Sequence, residues 1–213
     1  CNFSTNEECG FLVDAFQIPP SVMTPWNPEY YCERLEQYGL EKAEDLLCYW
    51  IDREGLQKKM FRIARKAYER LEKQGHEIKI RYLRKKEGKK VWKDEVELIK
   101  RLYNKAWEKN WGFIPLTENE MDFIAKELRP IVDPDLVMFM EFDGETVGFV
   151  LALPDYNEIL RYIKGEIGPG EIATALMLKK RINKARLFMM GVLPEYRNKG
   201  LELMLYTQLY YSW

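Results

Sequence analysis

The chain has 213 residues, 46% apolar and 14% aromatic, enough to bury a sizeable core in one large or two small domains. Its 33 basic and 34 acidic residues leave a net charge of -1, which excludes a nucleic-acid footprint spread over the whole surface. No apolar run reaches membrane-spanning length and no signal peptide is visible.

A single histidine, His76, removes most Ser-His and Cys-His catalytic arrangements and nearly all histidine metal sites. No metal site is expected. The four cysteines (Cys1, Cys9, Cys32 and Cys48) form no Cys-x-x-Cys pair and read as reduced thiols of a cytoplasmic protein. A chain that opens on Cys1 and stops at Trp213, close behind a helical pattern, is expected to be a fragment of something longer.

The first segment, to about Asp52, reads strand, helix, strand. Ser21 to Thr24 follow Pro19-Pro20 as a short strand. Asn27 caps a helix with Pro28 in its first turn, Tyr31, Leu35 and Tyr38 recur at helical spacing, and Gly39 stops it. Ala43 to Ile51 is the second strand. A basic amphipathic helix follows, Leu56 to Gln74, with Met60, Ile63, Ala64, Ala67 and Leu71 as its stripe. It reads as a connector docked by that stripe. A membrane-surface or acidic-partner role is the alternative.

Ile78, Ile80 and Tyr82 alternate with Lys79 and Arg81 as a half-buried strand. Arg84 to Lys90 is a positive turn. Val96, Ile99, Leu102, Tyr103 and Ala106 define the next helix. Thr117 and Glu120 form a capping box, Leu116 and Met121 a hydrophobic staple, and Pro130 ends that helix. Leu136 to Phe142 and Thr146 to Leu153 are strands joined by Asp143-Gly144, a favoured hairpin turn. Asp155 and Glu158 are placed to cap a short helix. The loop Gly165 to Gly170 separates it from a helix running from Glu171 to about Ile182.

Leu187 to Leu205, LFMMGVLPEYRNKGLELML, carries the chemistry. An apolar strand, expected inside a sheet, breaks at Pro194. A short basic loop with Gly200 leads directly into a helix. Unpaired N–H groups at the start of that helix attract phosphate. Gly200 lets backbone approach a ligand, and Arg197 and Lys199 add charge. The loop reads as a pyrophosphate seat; a plain turn with a helix cap is the alternative.

VLPEYRNKGLE resembles the cofactor motif of the GNAT superfamily, the acyl-CoA-dependent N-acetyltransferases, at Val192, Pro194, Tyr196, Arg197, Asn198, Lys199, Gly200 and Leu201. Glu202 stands where the family has Gly or Ala. The likeness covers about Glu77 to Trp213, with NKAWEKNWGFIPLTENE similar to bacterial members. WNPEYYCERLEQYGL and EKAEDLLCYWI are similar to the late strand-helix-strand part of the same fold.

The resemblance implies an α/β (α+β) fold. Its mixed central sheet is flanked by helices, is incomplete at the C-terminus and is preceded by a strand-helix-strand half-unit. Residues 1–52 would be the C-terminal part of a first unit, 53–76 a connector helix, and 77–213 an acyl-CoA-binding domain lacking its last strands. In a variant, residues 1–52 dock on the later part and complete its sheet.

The implied reaction moves an acetyl or other acyl group from acyl-CoA to an amine, on a small molecule or a peptide. The implied cofactor contacts are Met190 and Val192, whose region supplies a strand N–H to the thioester carbonyl, and Arg197, Asn198, Lys199, Gly200, Leu201 and Glu202 around the pyrophosphate. The catalytic base stays open among Glu141, Asp155 and Tyr156. Met189 and Met190 occupy places where some relatives carry an acid. The stretch Pro154 to Ala185 is expected to cover the acceptor site. Other readings remain: a scaffold of this fold without catalysis, and an RNA- or membrane-binding module using the basic region 56–93.

Overall fold

The computed structural model describes residues 6, 9–52, 57–162 and 168–213. The expected elements are met most closely after residue 57, where a four-stranded antiparallel sheet forms in the order β1 (Ile78–Tyr82), β2 (Val137–Phe142), β3 (Glu145–Pro154), β4 (Ala185–Val192). Consecutive neighbours explain the simplicity of the order: β2 and β3 form the expected hairpin. Asp143 and Gly144 take φ of 50° and 83° there, the left-handed pair such a turn requires.

The sheet is covered on both faces. On one side lie α3 (Lys89–Trp107) and α4 (Glu118–Leu128), packed on Val137, Phe139, Phe149 and Leu151. On the other lie α2 (Gln57–Lys73) and α7 (Leu201–Ser212), packed on Met138, Met140, Val147 and Val150. Covering both faces is why β2 and β3 read as nearly continuous apolar runs. Irregularities in the ladder re-aim single residues. The register shifts after Met140 and leaves Val147 without an opposite residue, turning it toward α7. A second shift, between Leu151 and Ala152, leaves Phe188 extra on β4.

α4 begins as expected. Thr117 accepts from the Glu120 N–H, and the Glu120 carboxylate accepts from the Thr117 N–H at 2.8 Å. Between β3 and β4 run α5 (Asn157–Leu160) and α6 (Pro169–Leu178). Of the glycine loop expected over the acceptor site, residues 163–167 lie outside the described residues.

The first segment departs from expectation. α1 (Tyr30–Gln37) forms and ends at Gly39, whose φ is 95°. The strands expected at Ser21–Thr24 and Ala43–Ile51 do not form. Ser21 to Thr24 close a turn, with Thr24 N–H donating to Ser21 O at 3.1 Å. Leu46, Leu47, Tyr49 and Trp50 are exposed, and among the described residues no neighbouring strand offers their backbone a ladder. Asn27 does not cap α1. Its Oδ1 accepts from Leu12 N–H at 2.7 Å and its Nδ2 donates to Leu12 O at 3.2 Å.

Candidate functional site

β4 lies at the edge of the described sheet and not inside it, because its only strand neighbour there is β3. Alternation decides which of its backbone groups face outward. Leu193 N–H donates to Val147 O at 2.8 Å, so Leu193, Gly191 and Met189 turn toward β3. Met190 and Val192 therefore turn their N–H and C=O groups to the open edge. Both outward carbonyls are taken: Trp107 Nε1 donates to Met190 O at 3.1 Å, and Arg197 Nε to Val192 O at 3.1 Å. The N–H groups of Met190 and Val192 are left facing the edge. Gly191 is needed between them, since a Cβ there would lie 2.8 Å from the Ala106 Cβ of α3.

Beyond β4 the chain makes a 3-10 turn, Pro194–Tyr196, and enters α7 through Arg197–Gly200. The loop is braced by its surroundings. The Arg197 side chain turns inward and donates to Val192 O and to Ala106 O in the last turn of α3. Lys105 pairs with Glu195 at 3.0 Å. Tyr196 OH donates to Glu145 at 3.0 Å, which raises the phenol above its ordinary range, and its ring meets Phe142. Arg70 of α2 donates to Lys199 O at 3.3 Å.

The residues named in advance thus divide. Arg197 has its guanidinium committed to carbonyls and its N–H to Pro194 O. Lys199 extends over the Phe142 ring with its Nζ 5.8 Å from the centroid. Gly200 has φ of 89°, and the space a Cβ would take is filled by Ala67 of α2, 2.6 Å away. Its small size lets a helix approach, where the sequence suggested a ligand. Leu201 is buried and offers only its amide. Glu202 sits in the first turn of α7, where a carboxylate offsets the positive helix end.

The main chain tells a different story from the side chains. Met204 N–H starts the helical ladder on Gly200 O at 3.2 Å. From Asn198 to Leu203, the backbone N–H groups have no acceptor among the described residues. Asn198, at φ 61°, turns the loop so that this run opens the helix.

None of the base candidates stands free. Glu141 pairs with Arg81 at 3.0 Å on the β1 side of the sheet, two strands from β4. Asp155 accepts from Val22 N–H at 2.9 Å and Asn157 N–H at 3.2 Å. Tyr156 OH donates to Ile131 O. Met189 packs into the α3–α4 core. Among the described residues, no group of three His, Cys, Asp or Glu is placed to hold a metal, and no helix is long and apolar enough to cross a membrane. In the basic region, Lys85 donates to Val132 O and burial lowers its pKa, while Arg84 pairs with the buried Glu95. Trp107 went unnoticed in the sequence. Its role depends on α3 crossing β4, which spacing along α3 does not reveal.

No family model matches the chain. It is 36% identical over 198 residues to a protein of Caulobacter vibrioides (strain NA1000 / CB15N) named bacterial ceramide synthase, covering 92% of this chain and 49% of that protein. It is 29% identical over 203 residues to protein YghO of Escherichia coli (strain K12), covering 92% of this chain and 48% of that one. The chain therefore spans about half the length of the curated relatives it matches.

Proposed function

We propose that this chain binds an acyl-CoA thioester along the open edge of β4 and moves its acyl group to an amine. The observation that carries the reading is the run of uncommitted amides from Asn198 to Leu203, at the start of α7 and directly beyond β4. Such a run, at the positive end of a helix, suits a pyrophosphate. The outward N–H groups of Met190 and Val192 suit a thioester carbonyl lying farther along the strand. The reading agrees with the resemblance of the motif around Arg197 to the GNAT cofactor motif. The relative named bacterial ceramide synthase points the same way, since a ceramide is an amide of an amino alcohol and its synthesis acylates a nitrogen.

In the reaction, the neutral amine attacks the thioester carbonyl. The carbonyl oxygen gains negative charge, which the Met190 and Val192 amides are aimed to receive. The C–S bond then breaks, the amine gives up a proton, and the thiol leaves. No histidine or metal is required by these steps.

Isothermal titration with acetyl-CoA and with palmitoyl-CoA tests the reading. Binding of either is expected, weakened about tenfold by Lys199→Glu, the equivalent of about 1.4 kcal/mol. Release of free thiol in the presence of an amine panel tests the transfer itself. A chain that binds neither thioester does not do this chemistry.

A further inference from the structure

We propose that the groove between α2 and α7, on the β1 side of the sheet, binds a long-chain carboxylate, its head at Arg62 and its tail over Ile80 and Ile78. The site is independent of the acyl-transfer reading, since β1 and β4 are opposite edges of the described sheet. α2 and α7 run antiparallel: Phe61 stacks on Tyr211 with ring centroids 5.1 Å apart, and Ala67 lies against Gly200. Between them opens a groove of about 730 Å³, inside the range of about 300–1,000 Å³ usual for small-ligand sites. Helical spacing builds one wall, because Met204, Thr207, Gln208 and Tyr211 fall on a single stripe of α7. Strand alternation builds the floor. Ile78 and Ile80 turn to this face, while Arg81 turns to the other and lies over the Phe139 ring, 4.2 Å from its centroid. The two isoleucines stay half-buried, because α7 packs over β2 and β3.

Charge selects the occupant. The α2 wall is Phe61, Ala64 and Tyr68 with Arg62 and Arg65, and no Asp or Glu is among the described residues that line the groove. The acids of α2, Glu69 and Glu72, are taken by Arg65 at 2.8 Å and by Tyr68 OH at 3.4 Å. Arg62 is exposed and has no acidic partner among the described residues. An apolar floor thus meets one uncompensated guanidinium. A free anion would leave the floor wetted, and a neutral or cationic chain would leave Arg62 unpaired. A chain ending in one carboxylate uses both, since the planar guanidinium fork matches the carboxylate oxygens. Direction follows from the ends. The Phe61–Tyr211 stack marks the end that carries Arg62, where Gln208 is held by Tyr82 OH at 2.7 Å. The tail therefore runs the other way, toward Met204 and Ile78.

Fluorescence titration with cis-parinaric acid, a fatty acid whose emission rises in apolar surroundings, tests this below its micelle concentration. Wild-type protein is expected to bind it and to release it to laurate, but not to dodecyltrimethylammonium, which has the same tail and the opposite charge. Arg62→Ala is expected to weaken binding about tenfold, the loss of one charge-assisted pair. Thr207→Trp, which fills the groove, is expected to abolish it. Excess coenzyme A, which has the pyrophosphate and no fatty tail, is expected to displace nothing. Absence of parinarate binding overturns the proposal. So does equal displacement by the cationic chain, unchanged affinity in Arg62→Ala, or displacement by coenzyme A, which would place the ligand at the start of α7. Because Arg62 is exposed, its variant decides the matter even if Thr207→Trp does not fold.

Discussion

Arg197 offers the sharpest test of how the loop works. Spacing places it among phosphate ligands; the structure spends its guanidinium on Val192 O and Ala106 O. Ala106 lies in the last turn of α3, so its carbonyl is one that the helix cannot satisfy itself. A cation there also meets the negative end of the helix. Charge-assisted bonds are each worth about 1.5–3 kcal/mol when buried. Arg197 is largely exposed, and water replaces part of each bond, so about 1 kcal/mol apiece is a fair allowance. Arg197→Ala is therefore expected to cost about 2 kcal/mol, or about 4–8 °C in Tm for a chain of this size. Lysine has no planar fork to span both carbonyls, so Arg197→Lys is expected to recover less than half. Thermal unfolding followed by circular dichroism at 222 nm reads the shift. The competing view makes a different forecast: Tm unmoved and acyl-CoA affinity reduced. If Arg197→Ala melts within about 1 °C of wild type, the tether argument fails.

Gly200→Ala combines a positive φ with a Cβ 2.6 Å from Ala67. It is expected to lower stability by about 2 kcal/mol or more, of which Ala67→Gly in the same chain recovers only the steric part, leaving about 1 kcal/mol of backbone strain in urea unfolding. Thr117→Ala breaks the capping box and is expected to cost about 1 kcal/mol by the same measurement. Tyr103 is buried and its phenol is pushed up to about 12, above its unfolded value near 10. The protonated form is thus favoured by the fold: its contribution is complete below pH 10 and lost between 10 and 12, so alkaline difference spectra are expected to show Tyr103 among the late-ionising tyrosines, and Tyr103→Phe to remove one phenol from that late phase. Asp143, beside His76 and the Glu77 N–H, is held below the ordinary carboxylate range. Its contribution is present above its unfolded pKa and fades as pH falls through the lower folded one; carbon-13 NMR of the carboxyl is expected to find it titrating below the other exposed aspartates.

What the sequence made legible was local. The capping box at Thr117, the Asp143-Gly144 turn and the stripe from Val96 to Ala106 each need only neighbours along the chain, and each appears where the pattern put it. The strands expected in residues 21–51 failed for the opposite reason. LLCYWI has strand-forming side chains, but a strand exists only when another backbone completes its ladder. Asn27 met the composition rule for a helix cap and found Leu12 instead, a partner fifteen positions away in the chain. At the strand-to-helix join, spacing located the loop after β4 but not the division of labour inside it. That division depends on α2 and α3 reaching the loop from elsewhere: Ala67 explains Gly200, and Ala106 explains Arg197.

The pattern of bracing has a consequence for binding. Side chains of Arg70, Lys105 and Glu145 hold the loop from the helices and the hairpin around it and the loop's own Arg197 grips α3, yet the amides from Asn198 to Leu203 are spared. A loop that must order itself around a ligand gives back part of the interaction energy as lost entropy. One already fixed by its neighbours gives back much less. On this reasoning the bracing residues affect affinity without touching the ligand: loosening Lys105–Glu195 or Arg70–Lys199 O should raise the dissociation constant for a CoA thioester while leaving the amides themselves in place. A fixed loop with bonded amides would be only a turn. A fixed loop whose amides are open is what the proposed anion seat requires, and that combination separates this join from a strand-to-helix connection whose amides are already bonded.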